Sequence, residues 1–299
     1  MKVFYSDHYE FPLPEGHRFP VEKYRLLRER LLSGDILSPD ELLSPAPATR
    51  GQILLAHSQE YFNSFESGSI DPKIIRKIGF PWSHELHMRS LASVGGAVES
   101  AREAMINGVA GNLAGGTHHA FRDHGEGFCV YNDLAVVTLL FQQDRTAERI
   151  AIVDLDVHQG NGTSDILKYN RDVFIFSMHG KNNYPFVKIP STVDIELEDN
   201  TEDSEYLERL NDNIKKVVKF EPEIILFIAG VDPLKEDRLG KLSLTKEGLK
   251  ERDKLIAEIC FNKSIPLSLA LGGGYSVPVE NTVEAYCNTY RAVKEIYIR

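Results

Sequence analysis

The sequence contains few cysteines and no long apolar run. Its three cysteines, Cys129, Cys260 and Cys287, are too few and too widely spaced for a disulfide framework or a cysteine-rich zinc finger. No run approaches the roughly 18 apolar residues of a membrane span, and the first residues lack the apolar stretch of a signal peptide. We therefore expect a cytoplasmic protein that has no membrane partner and keeps its cysteines reduced.

Basic residues are also in the minority, and they are scattered along the chain. Lysine and arginine together number 34 against 44 acidic residues, which gives a formal net charge of −10. Because no basic stripe is present, direct nucleic-acid binding lacks its usual electrostatic basis. An acidic surface suits basic peptides or amines instead.

Apolar runs of strand type alternate with helical patterns along the sequence. Strands are predicted over 149–157, 173–178, 223–229 and 266–270, and helices over 84–107, 204–220 and 245–262. This alternation predicts an α/β fold in which residues 1–299 form a single domain, with a mostly parallel central sheet and helices on both faces. In such sheets, ligands bind beyond the carboxyl ends of the strands.

The segment Ile150–Gly162, with the sequence IAIVDLDVHQGNG, is the most informative part of the chain. If strand alternation continues along it, Asp154, Asp156 and His158 share one side. Two carboxylates and an imidazole in one place are costly unless a cation or hydrogen bonds compensate them. The segment therefore predicts a metal site.

A catalytic zinc site has three protein ligands and leaves one position open for water. Asp156 and His158 supply two ligands. The third is expected from the loop after the apolar run 224–228, which contains Asp232 and Asp237. Position in the sequence alone does not choose between these two carboxylates.

Two further groups could take part in acid–base chemistry near a metal. His118 and His119 follow the flexible pair Gly115-Gly116, and beside an activated water they are candidates for a general base and a general acid. Tyr275 follows three glycines after a short apolar strand. A tyrosine placed there could donate a hydrogen bond to a developing oxyanion.

Taken together, these motifs resemble the zinc-dependent histone deacetylase family, which has the arginase/deacetylase fold. The matching segments are GGTHHA at 115–120, GFCVYN at 127–132, DLDVHQGNG at 154–162, AGVD at 229–232, EDRLG at 236–240 and GGGY at 272–275. They occur in the family's order. GHRFP at 16–20 and EDRLG at 236–240 resemble the class IV branch and its bacterial relatives.

The resemblance implies roles for the residues of these motifs. It implies zinc ligation by Asp156, His158 and Asp237, with Asp232 structuring the loop, and catalysis by His118, His119 and Tyr275. Asp154 and Asn161 are implied as the respective hydrogen-bond partners of the two histidines. Some members of the family have an aspartate in place of Asn161, so the amide here suits a histidine that starts neutral.

The family also implies a second ion and a substrate tunnel. A potassium ion beneath the zinc would be bound at Asp154, Asp156, His158, Ser177 and Met178, partly through backbone carbonyls. The tunnel for the acyl-lysine would be lined by Thr117, Gly127, Phe128 and Tyr184, with Tyr184 facing Phe128.

The activity implied is hydrolysis of acetyl or longer acyl groups from lysine side chains of proteins or peptides. Thr117 is smaller than the aromatic residue common before the histidine pair, so a deeper acyl pocket is expected. The alternative is deacetylation of small molecules such as acetylpolyamines. A binuclear manganese ureohydrolase would need more aspartate ligands, and a non-catalytic module would be expected to have lost a catalytic residue. The sequence favours no particular oligomeric state.

Overall fold

A computed structural model of the chain describes residues 1–297, which contain one eight-stranded sheet. Its strands lie in the order β2-β1-β3-β8-β7-β4-β5-β6, and every neighbouring pair is parallel. The strands are β1 Lys2–Phe4, β2 Leu42–Leu43, β3 Val109–Asn112, β4 Ile150–Asp154, β5 Val173–Gly180, β6 Val193–Leu197, β7 Ile224–Ile228 and β8 Leu267–Ala270.

Ten α-helices and one 3₁₀ turn, Pro39–Glu41, connect the strands within residues 1–297. The helices are α1 Lys23–Ser33, α2 Arg50–Ala56, α3 Gln59–Ser67, α4 Pro72–Ile78, α5 His84–Asn107, α6 Asp133–Gln143, α7 Asn161–Leu167, α8 Asp203–Lys219, α9 Lys246–Lys263 and α10 Glu280–Tyr297. Thr245 caps α9 as predicted, since its side chain accepts a hydrogen bond from the Gly248 backbone N–H.

Two apolar clusters cover the two faces of the sheet. Along β4, Ala151 and Val153 pack into the cluster with α1, α8, α9 and α10, whereas Ile150 and Ile152 pack into the cluster with α2, α3, α5 and α6. The central strands are buried on both faces, which explains their nearly continuous apolar sequences. The predicted α/β fold with helices on both faces is confirmed.

Two further expectations concern the surroundings of the protein. No helix within residues 1–297 combines the length and apolar character needed to cross a bilayer. Cys129, Cys260 and Cys287 are buried and free of disulfides.

Candidate active site

The candidate site lies at the carboxyl ends of four strands that are adjacent in the sheet: β3, β8, β7 and β4. The loop after β3 carries the histidine pair, and the loop after β8 carries Tyr275. The loops after β7 and β4 carry the aspartates and His158. Because all four strands are parallel, these loops meet at one edge of the sheet.

Strand β4 is shorter than the sequence pattern predicted. The strand ends at Asp154, so the expected continuation of strand alternation to His158 is wrong. Instead, the Asp156 N–H donates to Asp154 Oδ1 at 3.2 Å, and the His158 N–H donates to Asp156 Oδ1 at 2.9 Å. Two successive side-chain-to-backbone turns thus bring the three side chains together.

Asp156, His158 and Asp232 form a buried group whose ligand atoms all lie within 4.8 Å of one another. His158 Nδ1 is 3.0 Å from Asp156 Oδ1 and 3.0 Å from Asp232 Oδ2. It is the one such group that the described part of the chain contains. One imidazole and two carboxylates fit a catalytic zinc ion, which takes three N or O ligands and keeps a position open.

The electrostatics of the group also favour a cation. Burial and the neighbouring Asp156 raise the pKa of Asp232 to about 7. Burial opposes ionisation of Asp156 as well, but His118 and His158 outweigh it and hold the pKa of Asp156 well below its usual value. Two crowded, buried carboxylates are stabilised when a positive charge is placed between them.

Asp237, predicted as the third ligand, lies outside this group. Its Oδ1 accepts hydrogen bonds from the backbone N–H groups of Leu239 and Gly240, at 2.8 and 3.0 Å, and its Oδ2 accepts one from the Tyr275 N–H at 2.6 Å. Asp232 instead accepts from the Val157 N–H at 2.9 Å. Asp232 thus reaches the β4 loop, and Asp237 structures its own loop and the approach to Tyr275. Zinc ligation by Asp237 stays a prediction.

Glycines and one buried carboxylate shape the loop that carries the histidine pair. Gly115 and Gly116 have φ angles of +84° and +71°, which side-chain-bearing residues rarely adopt. Asp133 then accepts hydrogen bonds from the backbone N–H groups of Gly116 and Thr117, both at 2.9 Å. Asp133 was not predicted, because beside Asn132 at the start of α6 it has the sequence signature of an ordinary helix cap.

The two histidines contact different partners, in the pairing that the family resemblance implied. His118 Nδ1 lies 2.7 Å from Asp154 Oδ2, and His119 Nδ1 lies 2.7 Å from Asn161 Oδ1. Burial lowers the pKa of His118, but Asp154 and Asp156 outweigh this effect and raise it to about 9. Burial and the neighbouring His118 hold the pKa of His119 well below its usual value. These opposite shifts favour a charged His118 beside a neutral His119.

Glu126 supports this arrangement and was missed in the sequence. Its Oε1 accepts hydrogen bonds from the Asn161 amide at 2.8 Å and from the Tyr184 hydroxyl at 2.6 Å. Burial opposes its ionisation, yet hydrogen bonds from His124, Tyr184 and Asn161 lower the pKa of Glu126 to about 2. No local pattern marks a glutamate for contact with residues so distant in sequence.

A cavity of about 530 Å³ opens onto these groups. Thr117, Gly127, Phe128 and Tyr184 all line it, together with both histidines, Asp156, His158 and Tyr275. The Tyr184 ring meets His119 edge-on, with ring centroids 4.9 Å apart. Burial raises the pKa of the Tyr275 phenol well above its usual value, so this hydroxyl remains a donor at neutral pH.

Lys23 supports Tyr275 from beneath and was also missed. It is buried, its Nζ donates to the Gly274 carbonyl at 3.2 Å, and the same atom lies 4.9 Å from the centre of the Tyr275 ring. Burial lowers the pKa of Lys23 to about 8, against the opposing influence of Asp232, Asp237 and Asp156.

Most of the chain matches one known domain family. The sequence model of the histone deacetylase domain matches residues 17–291. The chain belongs to the histone deacetylase family. This membership supports a deacetylase activity for the site.

The chain is also similar in sequence to proteins from bacteria and from a plant. An uncharacterized protein of Picosynechococcus is 40% identical and covers 99% of both chains. Histone deacetylase 2 of Arabidopsis thaliana is 29% identical, over 92% of this chain and 74% of its own length. The acetoin utilization protein AcuC of Staphylococcus aureus is 31% identical, over 91% and 76%.

Solved structures of histone deacetylase homologues share the fold. A homologue from Aquifex aeolicus superposes with a TM-score of 0.83 at 26% identity, and the match covers all of this chain and 84% of that homologue. A homologue solved in complex with SAHA gives the same TM-score, identity and coverage. The HDA15 HD domain has a TM-score of 0.81 at 19% identity, over 100% and 96%, and supports the fold alone.

The residues expected to hold potassium lie where β4 meets β5. Ser177 is the register partner of Asp154, and Met178 follows it. The Ser177 hydroxyl lies 2.9 Å from His179 Nδ1. Potassium binding here, like the place of the chain in class IV, stays a prediction.

Proposed function

We propose that the chain is a zinc-dependent deacylase that removes acetyl or longer acyl groups from lysine side chains of proteins or peptides, acting as a single catalytic domain. Family membership supports the deacetylase chemistry, and the similarity to a histone deacetylase homologue solved in complex with SAHA supports an acyl-lysine type of substrate. The observation that carries the proposal is the buried group of Asp156, His158 and Asp232 beside a neutral His119 in one cavity.

Asp156, His158 and Asp232 would hold the zinc, so that Asp232 replaces Asp237 in the ligand set. A bound zinc ion would polarise the acyl carbonyl and lower the pKa of the attacking water. Ser177, Met178 and the backbone of the β4 loop would hold the structural potassium ion.

His119 is proposed as the general base. Because the Asn161 oxygen can only accept, His119 Nδ1 carries the hydrogen, which leaves the lone pair on Nε2. A neutral Nε2 can take a proton from water during attack on the carbonyl. His118, held as a cation by Asp154, or His119 after it has gained a proton, would then protonate the leaving amine.

Tyr275 and the aromatic walls complete the proposed mechanism. The Tyr275 hydroxyl would donate to the oxyanion of the tetrahedral intermediate. Phe128 and Tyr184 would flank the methylenes of the lysine side chain, and burial of each methylene there would favour binding.

The test is a series of peptides that differ only in the acyl group on one lysine, from acetyl to myristoyl. We expect turnover that is lost after chelation and regained on addition of zinc. His119→Ala should remain folded and retain metal but lose activity by about 10²- to 10⁴-fold. Absence of turnover across the series, or turnover indifferent to chelation, would contradict the proposal.

A further inference from the structure

We propose that the mouth of the cavity selects acyl-lysine peptides in which acidic residues flank the modified lysine. This inference rests on the proposed function and adds a substrate class to it. Four basic residues line the cavity, namely Arg18, Arg76, Lys77 and Lys241. The one carboxylate among the described lining residues belongs to Asp156, which is buried with the metal-binding group.

This basic mouth is the opposite of the acidic surface that the net charge of −10 suggests. Its residues come from three separate parts of the fold. Arg18 lies between β1 and α1, Arg76 and Lys77 lie in the last turn of α4, and Lys241 lies between β7 and α9. Cations at a helix C-terminus interact favourably with the helix dipole. The helix dipole therefore explains why two basic residues lie at the end of α4, but it does not explain why Arg18 and Lys241 lie at the mouth.

The charges at the mouth are largely free to act on a ligand. Within residues 1–297, Arg18, Arg76 and Lys241 are exposed and have no carboxylate within 4.0 Å. Lys77 lies 4.0 Å from Glu126, whose side chain is only 13% exposed. Three of the four basic residues at the mouth are therefore exposed and not paired with a carboxylate.

An exposed aromatic residue lies beside these charges. Phe186 lines the same cavity and is 86% exposed, so it is free to pack against a bound peptide. The strength of such an apolar contact does not depend on the charge of the peptide. The selection between substrates would therefore come from the basic residues.

The expected size of the selection follows from the exposure of these groups. A single exposed ion pair contributes only a few-fold to binding. Several cations acting on the same peptide should together give on the order of a tenfold difference, and salt should weaken it because the charges are solvated. Basic flanks and cationic acetylpolyamines should be disfavoured by the same field.

The experiment uses the full zinc-loaded protein and three peptides that share a central acetyl-lysine. The two residues on each side are glutamate, glutamine or lysine. We expect kcat/KM to fall in that order, mainly through KM, and a free acetylpolyamine to be turned over more slowly than the glutamine peptide. The difference should shrink severalfold between about 0.05 and 0.5 M NaCl.

Two sets of substitutions test whether the basic residues at the mouth cause the preference for acidic peptides. The triple variant Arg18→Gln, Arg76→Gln, Lys241→Gln should reduce the preference for glutamate over lysine to about twofold or less. Its matched control, Lys215→Gln, Lys219→Gln, Lys263→Gln, makes the same charge change at exposed positions of α8 and α9 and should keep the preference.

The outcomes separate this inference from the function on which it rests. If all three peptides are cleaved at similar rates, or if the ranking survives in high salt, the inference is wrong and the deacylase proposal stands. A control variant that loses the preference as much as the mouth variant also overturns it. If no peptide is cleaved at all, both proposals fail. The ranking and salt dependence of the unaltered protein decide the matter even if the triple variant does not fold.

Discussion

The side-chain amide of Asn161 donates a 2.8 Å hydrogen bond to the carboxylate of Glu126. Because a carboxylate only accepts, this bond fixes which end of the amide faces Glu126. The amide oxygen then faces His119 Nδ1 at 2.7 Å and accepts its hydrogen. Glu126 therefore positions the lone pair of His119 on Nε2 through one intervening residue.

Replacing Glu126 with glutamine should lower kcat by about tenfold and leave KM within about twofold. The glutamine keeps the size of the side chain but can present either end of its amide, so the tautomer of His119 is no longer fixed. Steady-state kinetics on an acetyl-lysine peptide measure the split between kcat and KM. Asp123→Asn, which removes an exposed carboxylate from the same loop, is the control and should behave normally. Equal losses in both variants would argue against a positioning role.

The main elements of the fold could be predicted because each has a strong local pattern. The predicted helix 84–107 has the bounds observed for α5, and four central strands lie within or beside their predicted ranges. β3 was missed because Val-Ala-Gly-Asn is too short and too rich in small residues to resemble a strand. β6, at the edge of the sheet, is only partly buried and has a mixed sequence.

The family resemblance predicted the partners of the histidine pair, whereas contacts that depend on the path of a loop could not be predicted from the sequence. The partners of His118 and His119 lie at the end of β4 and at the start of α7, which the motif already grouped. The choice between Asp232 and Asp237 depends on how one loop folds back on the next. Their separation by five positions contains no information about that path, and the basic mouth likewise depends on tertiary packing.

Asp232→Asn should remove the metal, and Asp237→Asn should not. Asp232 belongs to the buried group with Asp156 and His158, whereas Asp237 lies outside it. Zinc measured by mass spectrometry should be about one per chain in the unaltered protein and in Asp237→Asn, and far lower in Asp232→Asn. Asp237→Asn should still lose kcat, because it disturbs the backbone of Tyr275. Zinc loss in Asp237→Asn with retention in Asp232→Asn would restore Asp237 as the ligand.

His57 should make the fold sensitive to mild acid. Its Nε2 accepts the Asn132 N–H at 2.9 Å, its Nδ1 donates to the Phe121 carbonyl at 2.8 Å, and burial lowers its pKa to about 4. The unfolded chain takes up a proton near pH 6.5, so the contribution of neutral His57 is complete above that pH and is lost as the pH falls toward 4.

Between pH 7.5 and pH 5, His57 should account for a loss of about 2 kcal/mol in the free energy of unfolding. Urea denaturation with chelator present measures this loss without interference from metal release. His57→Gln should be less stable at pH 7.5 but should lose about 2 kcal/mol less on acidification. His84→Gln, at an exposed position, serves as the control. An unchanged pH dependence in His57→Gln would show that another group is responsible.

Thr117 should limit the acyl group to a modest length. Its hydroxyl lies 2.8 Å from Asp133 Oδ1 and close to the Tyr131 carbonyl, so it anchors the histidine loop. A second cavity of about 60 Å³ adjoins it and shares Phe19, Tyr24 and Phe128 with the main cavity. That volume equals roughly two water molecules, which is room for a few carbons but not for a fatty chain.

We therefore expect kcat/KM to rise from acetyl to butanoyl-lysine and to fall by octanoyl-lysine. Each buried methylene can contribute about 0.8 kcal/mol, or roughly fourfold, until the space is filled. Thr117→Trp should fill the second cavity and make acetyl the best substrate. Thr117→Val keeps the volume but removes the anchoring hydroxyl, so it should lower kcat/KM by the same factor for all acyl groups. If myristoyl-lysine is the best substrate, or if Thr117→Trp leaves the ranking unchanged, the second cavity does not set the acyl length.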